Sequence, residues 1–247
     1  MVLLSVNVNK FALIRNSRGT DTPNLCDIAK KCIQYGADGI TIHPRPDERH
    51  ATKKDVPELK VVCDNFNVEF NVEGYPSDEF LDLVCHVKPT QVTLVPDPPE
   101  ALTSSFGWNL EENENFLTNV MKRLADNDIR SSIFVDPTVE NEALLNSINP
   151  DQVELYTFDY AHDYNTDREK AIKPYIDCVK RLKSKGVKFN AGHDLSLDNL
   201  AYFLKMLPDV EEVSIGHALV CDAFELGLNE TITQYKRKVN KVRNSGE

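Results

Sequence analysis

Several patterns that would place a chain quickly in a class of protein are missing here. No apolar run approaches the roughly 20 residues of a membrane-spanning helix, and the apolar start Met1–Val6 is too short for a signal peptide. The six cysteines are scattered without a C-x-x-C pair, which is typical of reduced thiols in a cytosolic protein. We therefore expect a cytoplasmic protein without a membrane partner.

Positive charge is also scarce. The chain has 28 basic and 39 acidic residues, for a formal net charge of -11. A chain with this balance repels polyanions, so we expect no nucleic-acid partner, and any anionic ligand needs a local basic pocket. One basic stretch, Lys236–Lys238 with Lys241 and Arg243, fits either a polyanion surface or a solvated helix face, and the helix dipole favours the second reading.

Motifs for metals and dinucleotides are absent as well. There is no H-x-H or H-E-x-x-H spacing. The first apolar run ends in Asn7-Val8-Asn9-Lys10, without the G-x-G-x-x-G that an open doubly wound sheet usually carries. We expect no catalytic metal, and the titratable residues favour proton-transfer chemistry.

What the sequence does contain is a regular alternation of short β-branched runs with amphipathic segments. Eight such units in 247 residues predict an α/β protein, a (β/α)8 or TIM barrel formed by residues 1–247 as a single domain. The predicted strands are Leu3–Val8, Gly39–Ile42, Asn67–Val72, Gln91–Val95, Ser131–Val135, Gln152–Leu155, Val187–Asn190 and Glu212–Ile215.

Helices are predicted between these strands. The first follows a polar loop after Val8, begins with Thr22 as N-cap and Pro23 at the first helical position, and ends at Gly36. Pro174 predicts a kink inside a later helix. The remaining predicted helices are Val56–Cys63, Ser77–Val87, Glu111–Ala125, Val139–Leu145, Asp167–Lys185, Ser196–Leu207 and the region from Ala218 onward.

Histidines cluster where the predicted strands end. His43, His193 and His217 directly follow strands, and His50 lies in the loop behind His43. In a (β/α)8 barrel these strand ends form the active-site face. Because histidine exchanges protons near neutral pH, we predict acid–base chemistry at this face.

Two glutamates belong to the same face. Glu73 follows the third strand, where it serves either as a base with a raised pKa or as a salt-bridge partner of an arginine. Glu154 lies within the sixth strand and is either a paired orienting group or a direct participant.

Two groups of residues are candidates for binding anions. Gly216-His217 opens the last helical region, where backbone N–H groups and the helix dipole favour phosphate, although a simple tight turn is the alternative. Arg45, Arg49 and His50 form the second group, with Asp47 and Glu48 positioned to neutralise at least one arginine. Two anion sites that flank acid–base groups suit a pair of phosphorylated substrates.

Ordered motifs run through nearly the whole chain at intervals that match one family. They are Val6–Asn9, Leu13–Gly19, Gly36–His43, Arg45, Asp47, Arg49–His50, Asn71–Glu73, Leu94–Pro96, Asn190–His193 and Ile215–Ala218. On these motifs the chain resembles the pyridoxine 5'-phosphate synthase family of vitamin B6 biosynthesis. The resemblance implies a homo-oligomeric barrel, typically an octamer, that needs no metal or organic cofactor.

The resemblance also implies a reaction and roles for individual residues. The two substrates would be 3-amino-2-oxopropyl phosphate and 1-deoxy-D-xylulose 5-phosphate, and the products pyridoxine 5'-phosphate, phosphate and water. His43 and Glu73 would accept protons and His193 would donate one, while Glu154 would support the transition state. The implied contacts are Asn7, Arg18, Gly216 and His217 to the aminoketone phosphate, and Arg45, His50 and Thr103 to the deoxyxylulose phosphate.

The chain departs from the family pattern at several positions. Asn9 and Lys10 stand where an Asp-His pair usually contacts the deoxyxylulose phosphate. Asp194 replaces a glycine that contacts the aminoketone, and Tyr156 replaces a histidine. There are two alternatives: a related phosphosugar isomerase or aldolase, and a barrel that binds such metabolites without turnover. The joint presence of His43 and Glu73 with His193 favours the synthase.

Overall fold

The computed structural model describes residues 1–97, 106–138, 142–183 and 186–241. Eight parallel strands close into a barrel in chain order, with β8 paired to β1, which confirms the predicted (β/α)8 fold. The strands are β1 Leu3–Asn7, β2 Gly39–Ile42, β3 Glu69–Gly74, β4 Gln91–Leu94, β5 Arg130–Val135, β6 Gln152–Tyr156, β7 Lys188–Gly192 and β8 Val210–Ile215.

Helices surround this barrel, and they exceed one per strand in two places. Two helices follow β1, and two follow β8. The helices are α1 Asn9–Arg18, α2 Leu25–Gln34, α3 Asp55–Phe66, α4 Asp78–Val87, α5 Leu110–Ala125, α6 Glu142–Ile148, α7 Phe158–Lys183, α8 Leu200–Met206, α9 His217–Leu226 and α10 Leu228–Lys241.

The strands alternate between an apolar face and a polar face. Leu4 and Val6 on β1, like Ile40 and Ile42 on β2, are fully buried and belong to the hydrophobic core that the helices cover. Because side chains alternate along a strand, the residues between them point to the other face, into the barrel. This alternation differs from the continuous apolar runs usual in parallel strands.

Hydrogen bonds show that the barrel interior is polar. Asn190 Nδ2 on β7 donates to Gln91 Oε1 on β4 at 3.4 Å and to Gln152 Oε1 at 2.8 Å. The bond between β4 and β7 joins strands that are not neighbours in the sheet, so it crosses the inside. Thr93 Oγ1 donates to Asn71 Oδ1 at 3.0 Å in the same network. This polar network lies inside the barrel, in place of the branched apolar layers that usually fill such a barrel.

The prediction of a polar loop after β1 is wrong, because residues 9–18 form α1. Phe11 and Ala12 are buried against the core, and Gly19 ends the helix in the left-handed conformation with φ 68°. Arg15 is also buried and makes a two-pronged ion pair with Asp55, with N–O distances of 2.6 and 2.8 Å. The polar composition of the segment concealed this buried pair.

Helix ends agree with the prediction at some positions only. Ser77 caps α4 by accepting a hydrogen bond from Phe80 N, as predicted. The N-cap of α2 is Asn24, whose side chain accepts from Asp27 N, rather than Thr22. In α7 the helical backbone is interrupted at Asp167 (φ -158°, ψ 88°), not at Pro174, because the Asp167 carboxylate accepts from Lys170 N and starts a second helical segment.

The cysteines are free thiols, and their environments differ. Cys32, Cys63 and Cys178 are buried, whereas Cys221 is exposed. Burial raises the pKa of the Cys32 and Cys63 thiols to about 12. Among the described residues, no helix is both long and apolar enough to cross a membrane.

Candidate active site

A cavity of about 310 Å³ opens at the carboxyl ends of the strands. It brings together all but three of the residues that the sequence predicts for the site. Those lining it are Asn7, Asn9, Lys10, His43, Arg45, His50, Glu73, Glu154, His193, Asp194, Gly216 and His217.

Three predicted residues are not among those that line this cavity, and Arg49 is one of them. Arg18 is exposed at the last position of α1 and does not line it. Thr103 lies outside the described residues. Their contacts to substrate therefore stay predictions.

Glu73 and His43 form the centre of the cavity at the ends of β3 and β2. His43 Nδ1 lies 3.8 Å from Glu73 Oε2, and Asn7 Nδ2 donates to the same oxygen at 3.4 Å. Asn9 links His43 to Asn7. Its side-chain Oδ1 accepts a hydrogen bond from His43 N at 2.9 Å, and its backbone N–H donates to Asn7 Oδ1 at 3.1 Å. Both side chains of the central pair are buried.

Burial determines where the proton of this pair resides. It raises the pKa of Glu73 to about 8, although Arg45 acts in the opposite direction. Burial, aided by Arg45, lowers the pKa of His43 well below its usual range. At neutral pH the unliganded site therefore holds its proton mainly on the carboxyl group and keeps the imidazole neutral.

Glu154 is the second buried carboxyl group of the site. Burial, with added repulsion from Glu73 and Glu212, raises the pKa of Glu154 well above its usual range. Its Oε1 has no hydrogen-bond partner within the described part of the chain. A Cβ atom at Gly192 would lie 2.4 Å from that oxygen, so the glycine is what leaves room for this carboxyl group. Glu154 is thus neutral and available as a donor or acceptor.

His193 follows β7 in an unusual backbone conformation. His193 and Asp194 have φ values of 81° and 58°, and the Thr157 hydroxyl lies within hydrogen-bond distance of the His193 carbonyl oxygen. Asp tolerates the left-handed region, where the family usually has glycine. The His193 ring packs with its centroid 5.0 Å from those of Phe134 and Tyr156. Burial lowers the pKa of His193 to about 4, so the resting imidazole is neutral.

Arg45, on one wall of the cavity, and Arg49, in the loop behind it, are both paired with aspartates. Arg45 is buried, with its Nη2 3.0 Å from Asp97 Oδ2. Arg49 Nη1 lies 2.9 Å from Asp47 Oδ2, as the neutralised-charge alternative expected. Burial lowers the pKa of His50 to about 4, with Lys10 as the next largest cause.

The opposite wall is the N-terminus of α9. Gly216 is its N-cap, no side chain caps it, and its first turn contains no acidic residue. The free N–H groups and the positive end of the helix dipole therefore face the cavity beside His217. This arrangement suits a phosphate group.

Some residues that line the cavity were not predicted from the sequence as site residues. Tyr156, Phe158 and Ser214 line the cavity, and the buried Ser214 Oγ has no hydrogen-bond partner among the described residues. Ser214 on β8 lies two positions before Gly216, which follows the strand, so the period of two along the strand is the signal that would have found it. Within the same described ranges, no group of three His, Cys, Asp or Glu side chains is arranged to hold a metal ion.

Comparisons with known proteins agree on one family. A family model described as "Pyridoxal phosphate biosynthesis protein PdxJ" matches residues 4–241. The chain is 51% identical over 240 residues to the pyridoxine 5'-phosphate synthase of Parabacteroides distasonis, covering 97% of this chain and 100% of that one. It is 48% identical over 241 residues to the enzyme of the same name from Cytophaga hutchinsonii, covering 98% and 100%.

Solved structures share the fold at low sequence identity. The thiamine phosphate pyrophosphorylase of Pyrococcus furiosus superposes with a TM-score of 0.64 at 14% identity, covering 98% of this chain and 96% of that chain. A tryptophan synthase structure from M. tuberculosis gives a TM-score of 0.66 at 13% identity, with 96% and 92% covered. At such identities the likeness concerns the barrel alone.

Proposed function

Because the chain belongs to the pyridoxal phosphate biosynthesis protein PdxJ family, we propose that it is a pyridoxine 5'-phosphate synthase. It condenses 3-amino-2-oxopropyl phosphate with 1-deoxy-D-xylulose 5-phosphate to give pyridoxine 5'-phosphate, phosphate and water. One observation carries this assignment to the cavity: a neutral imidazole and a raised-pKa carboxyl group lie 3.8 Å apart between two walls suited to anions.

The reaction needs several proton transfers. The amine of one substrate adds to the ketone of the other and loses water to form an imine. Carbon atoms next to carbonyl or imine groups then lose protons, phosphate leaves, and the ring closes. Groups of different basicity serve these steps better than one base.

We assign the proton acceptors to Glu73 and His43. Approach of a cationic amine, or transfer of the Glu73 proton to substrate, would leave Glu73 ionised next to a neutral His43, with both able to take a proton. His193 donates through its ring after it has taken a proton from substrate, because its lowered pKa makes the imidazolium a strong acid. Glu154, which is neutral, supports the developing charge by hydrogen bonding.

Two phosphate groups act as handles that orient the substrates. The N-terminus of α9 at Gly216 and His217, with Asn7, takes the aminoketone phosphate. The wall that carries Arg45 and His50 takes the deoxyxylulose phosphate. Asn9, Lys10 and Asp194 stand at family contact positions with changed side chains, and Arg18 and Thr103 remain assigned to substrate by family resemblance alone.

The protein is also proposed to act as a cytoplasmic homo-oligomer, with an octamer as the family assembly. Its free thiols agree with a reducing compartment. On α1 and α9, the large apolar side chains of Leu13, Ile14, Phe224 and Leu226 are exposed, which favours contact with another copy of the chain.

Product formation tests the assignment directly. Purified protein is mixed with both substrates without added metal or cofactor, and pyridoxine 5'-phosphate is followed by its absorbance and mass. Formation of product that requires both phosphates supports the synthase. Isomerisation or cleavage of the deoxyxylulose phosphate alone, without ring formation, would instead assign the protein to the isomerase or aldolase class.

A further inference from the structure

Two aromatic rings line the cavity at the junction of β6 and α7, and neither has a part in the proposed proton transfers or phosphate contacts. Tyr156 is the last residue of β6, and Phe158 is the first residue of α7. Their rings are parallel to within 10°, with centroids 6.2 Å apart. The His162 ring, one turn further along α7, is parallel to Phe158 to within 9° at 6.0 Å. These three rings form an offset arrangement, the β6–α7 aromatic stack.

The two rings of the stack that line the cavity differ in burial. Tyr156 is buried, and its ring centroid lies 5.0 Å from that of His193 and 6.4 Å from that of Phe134. Phe158, in contrast, is 44% exposed. A single exposed apolar side chain is common on a protein surface, but this one lies on the wall of the active-site cavity beside a buried parallel ring. Because offset rings leave part of each face uncovered, a flat ligand in the cavity can contact Phe158.

The charges that act on this part of the wall are negative. Burial raises the pKa of Tyr156 to about 12, and repulsion from Asp194 and Asp159 adds to the rise. The phenol therefore stays neutral at physiological pH. Its surroundings disfavour a phosphate group and favour a flat ring that carries positive charge, which aromatic faces also attract. The two walls proposed for phosphate lie after β2 and β8 instead.

The proposed reaction creates a ring of this kind from substrates that have none. Both substrates are acyclic phosphates, whereas the product contains a pyridine ring whose nitrogen can be protonated. Aromatic rings attract one another in offset or edge-to-face geometry, and they attract cationic rings further through their π faces. The stack also adjoins His193, the proposed proton donor. A ring that forms in the cavity can therefore contact the stack and the proton donor together.

We propose that Phe158, together with Tyr156, is the surface on which the newly formed pyridine ring of pyridoxine 5'-phosphate stacks. This inference rests on the proposed function and adds to it a contact that distinguishes the product from both substrates. The family pattern has a histidine in place of Tyr156, so the phenol ring of this chain extends the aromatic surface.

The test uses the full-length chain and four variants. Phe158→Leu removes the ring and retains an apolar side chain, Phe158→Tyr retains the ring, and Tyr156→Leu removes the second ring. Phe66→Leu is the matched control, because Phe66 is 40% exposed at the end of α3. Calorimetric titration measures Kd for pyridoxine 5'-phosphate and for glycerol 3-phosphate, an acyclic phosphate. Steady-state kinetics give KM for both substrates, and thermal unfolding shows whether each variant is folded.

We expect Phe158→Leu to weaken binding of pyridoxine 5'-phosphate about fivefold, the value of one aromatic contact. Tyr156→Leu should weaken it as well, and the two Phe158 variants decide the question if Tyr156→Leu fails to fold. Phe158→Tyr and Phe66→Leu should stay close to wild type. In Phe158→Leu, Kd for glycerol 3-phosphate and KM for both substrates should change less than about twofold, because these compounds have no aromatic ring.

Three results would overturn the proposal. One is an unchanged affinity of Phe158→Leu for pyridoxine 5'-phosphate, and another is an equal loss of affinity for glycerol 3-phosphate. The third is a raised KM for the aminoketone phosphate with unchanged product affinity, which would place the substrate ammonium group on these rings instead.

The same measurements separate this proposal from the proposed function. Wild-type protein that forms no product, but binds pyridoxine 5'-phosphate more tightly than Phe158→Leu does, would remove the synthase assignment and keep the ring contact. Product formation with equal affinity of wild type and Phe158→Leu would keep the synthase and remove the ring contact. Wild-type protein that does not bind pyridoxine 5'-phosphate would also remove the ring contact, whether or not product forms.

Discussion

At the scale of single residues, burial controls the chemistry of the cavity more than charge pairing does. Glu73 and His43 both have pKa values displaced towards their neutral forms, and burial is the largest cause for each. The two side chains lie 3.8 Å apart, and the proton of the pair resides on Glu73. For Glu73 to accept a proton, as proposed, substrate binding or a rise in pH must first remove the proton that it holds.

The pH profile is the first residue-scale prediction. If ionised Glu73 is the base, kcat/KM of the free enzyme should rise with pH, about tenfold per unit below the pKa of about 8, because deprotonation creates the active form. Glu73→Gln should abolish turnover at every pH and leave binding of phosphate largely intact. A flat profile across neutral pH, or a fully active Glu73→Gln, would contradict the assignment.

Gly192 gives a second residue-scale prediction. A methyl group there would meet Glu154 Oε1 at 2.4 Å, so Gly192→Ala should displace this buried carboxyl group. Misplacement of a catalytic group by about 1 Å lowers kcat by about a hundredfold. Kinetics of Gly192→Ala, Glu154→Gln and the double variant test this effect: the two changes should not be additive, because both act through Glu154. Fully additive losses would show that Gly192 acts elsewhere.

At the scale of elements, α1 connects the first strand to the cavity wall that carries Arg45 and His50. Arg15 of α1 pairs with Asp55 at the start of α3, and Asp55 Oδ2 also accepts from Thr52 N at 2.7 Å. Asn16 Nδ2 donates to the backbone oxygens of Arg49 and His50. The helix that carries Lys10 at one end therefore holds the His50 loop at the other.

Breaking the buried ion pair should destabilise the protein. Asp55→Asn leaves the Arg15 guanidinium buried without a counter-charge, which lowers the free energy of unfolding by about 3 kcal/mol. Asp27→Asn is the control, because it removes an exposed pair 3.3 Å from Lys30, worth about 0.5 kcal/mol or less. Denaturant titration measures both. Equal small effects would mean that the Arg15 pair is screened by solvent.

At the scale of the whole molecule, the polar barrel interior distinguishes this protein from barrels filled by branched apolar side chains. Arg130, Glu69 and Glu212 form its charged base, with Arg130 Nη2 3.9 Å from Glu212 Oε2. Burial, followed by repulsion from Glu69, raises the pKa of Glu212 to about 7. The base of the barrel therefore contains a carboxyl group whose pKa lies close to neutral pH.

This carboxyl group predicts a pH dependence of stability. The folded protein binds the Glu212 proton more tightly than the unfolded chain, so ionisation removes stability as pH rises from about 4.5 to about 7, by roughly 1 kcal/mol per pH unit. Glu212→Gln should remove this decline in the free energy of unfolding. The stability of the variant relative to wild type should therefore increase as the pH rises. The control is Glu211→Gln on the same strand, whose carboxylate is exposed 3.5 Å from Lys188. Parallel pH curves for wild type and Glu212→Gln would contradict the prediction.

The assembly gives a prediction on the same scale. Phe224 on α9 is 76% exposed, and Phe224→Ser should shift the protein to a smaller assembly by removing apolar contact area. Sedimentation velocity measures the mass, with Phe66→Ser as the control, because Phe66 is 40% exposed on α3. A wild-type monomer, or an unchanged mass for Phe224→Ser, would exclude this surface from the interface.

Much of the fold and the site could be predicted because the relevant signals are local. The strand order follows from alternating runs, and parallel strands in a barrel place His43, Glu73 and His193 at one face without further information. Helix α1 was missed because its inward side carries Arg15, whose partner Asp55 lies 40 positions away. Ser214 was missed because a single serine on a strand has no distinguishing motif.

The sequence by itself determined the barrel, the candidate acid–base residues and the family, because strand and helix periods and ordered motifs are properties of neighbouring residues. Only the tertiary structure decided which charged side chains are paired and which titratable groups are held neutral by burial. Arg45 pairs with Asp97 across 52 positions, and Glu73 retains its proton. Ion pairing and burial depend on which distant segments meet in space, and no local pattern specifies them.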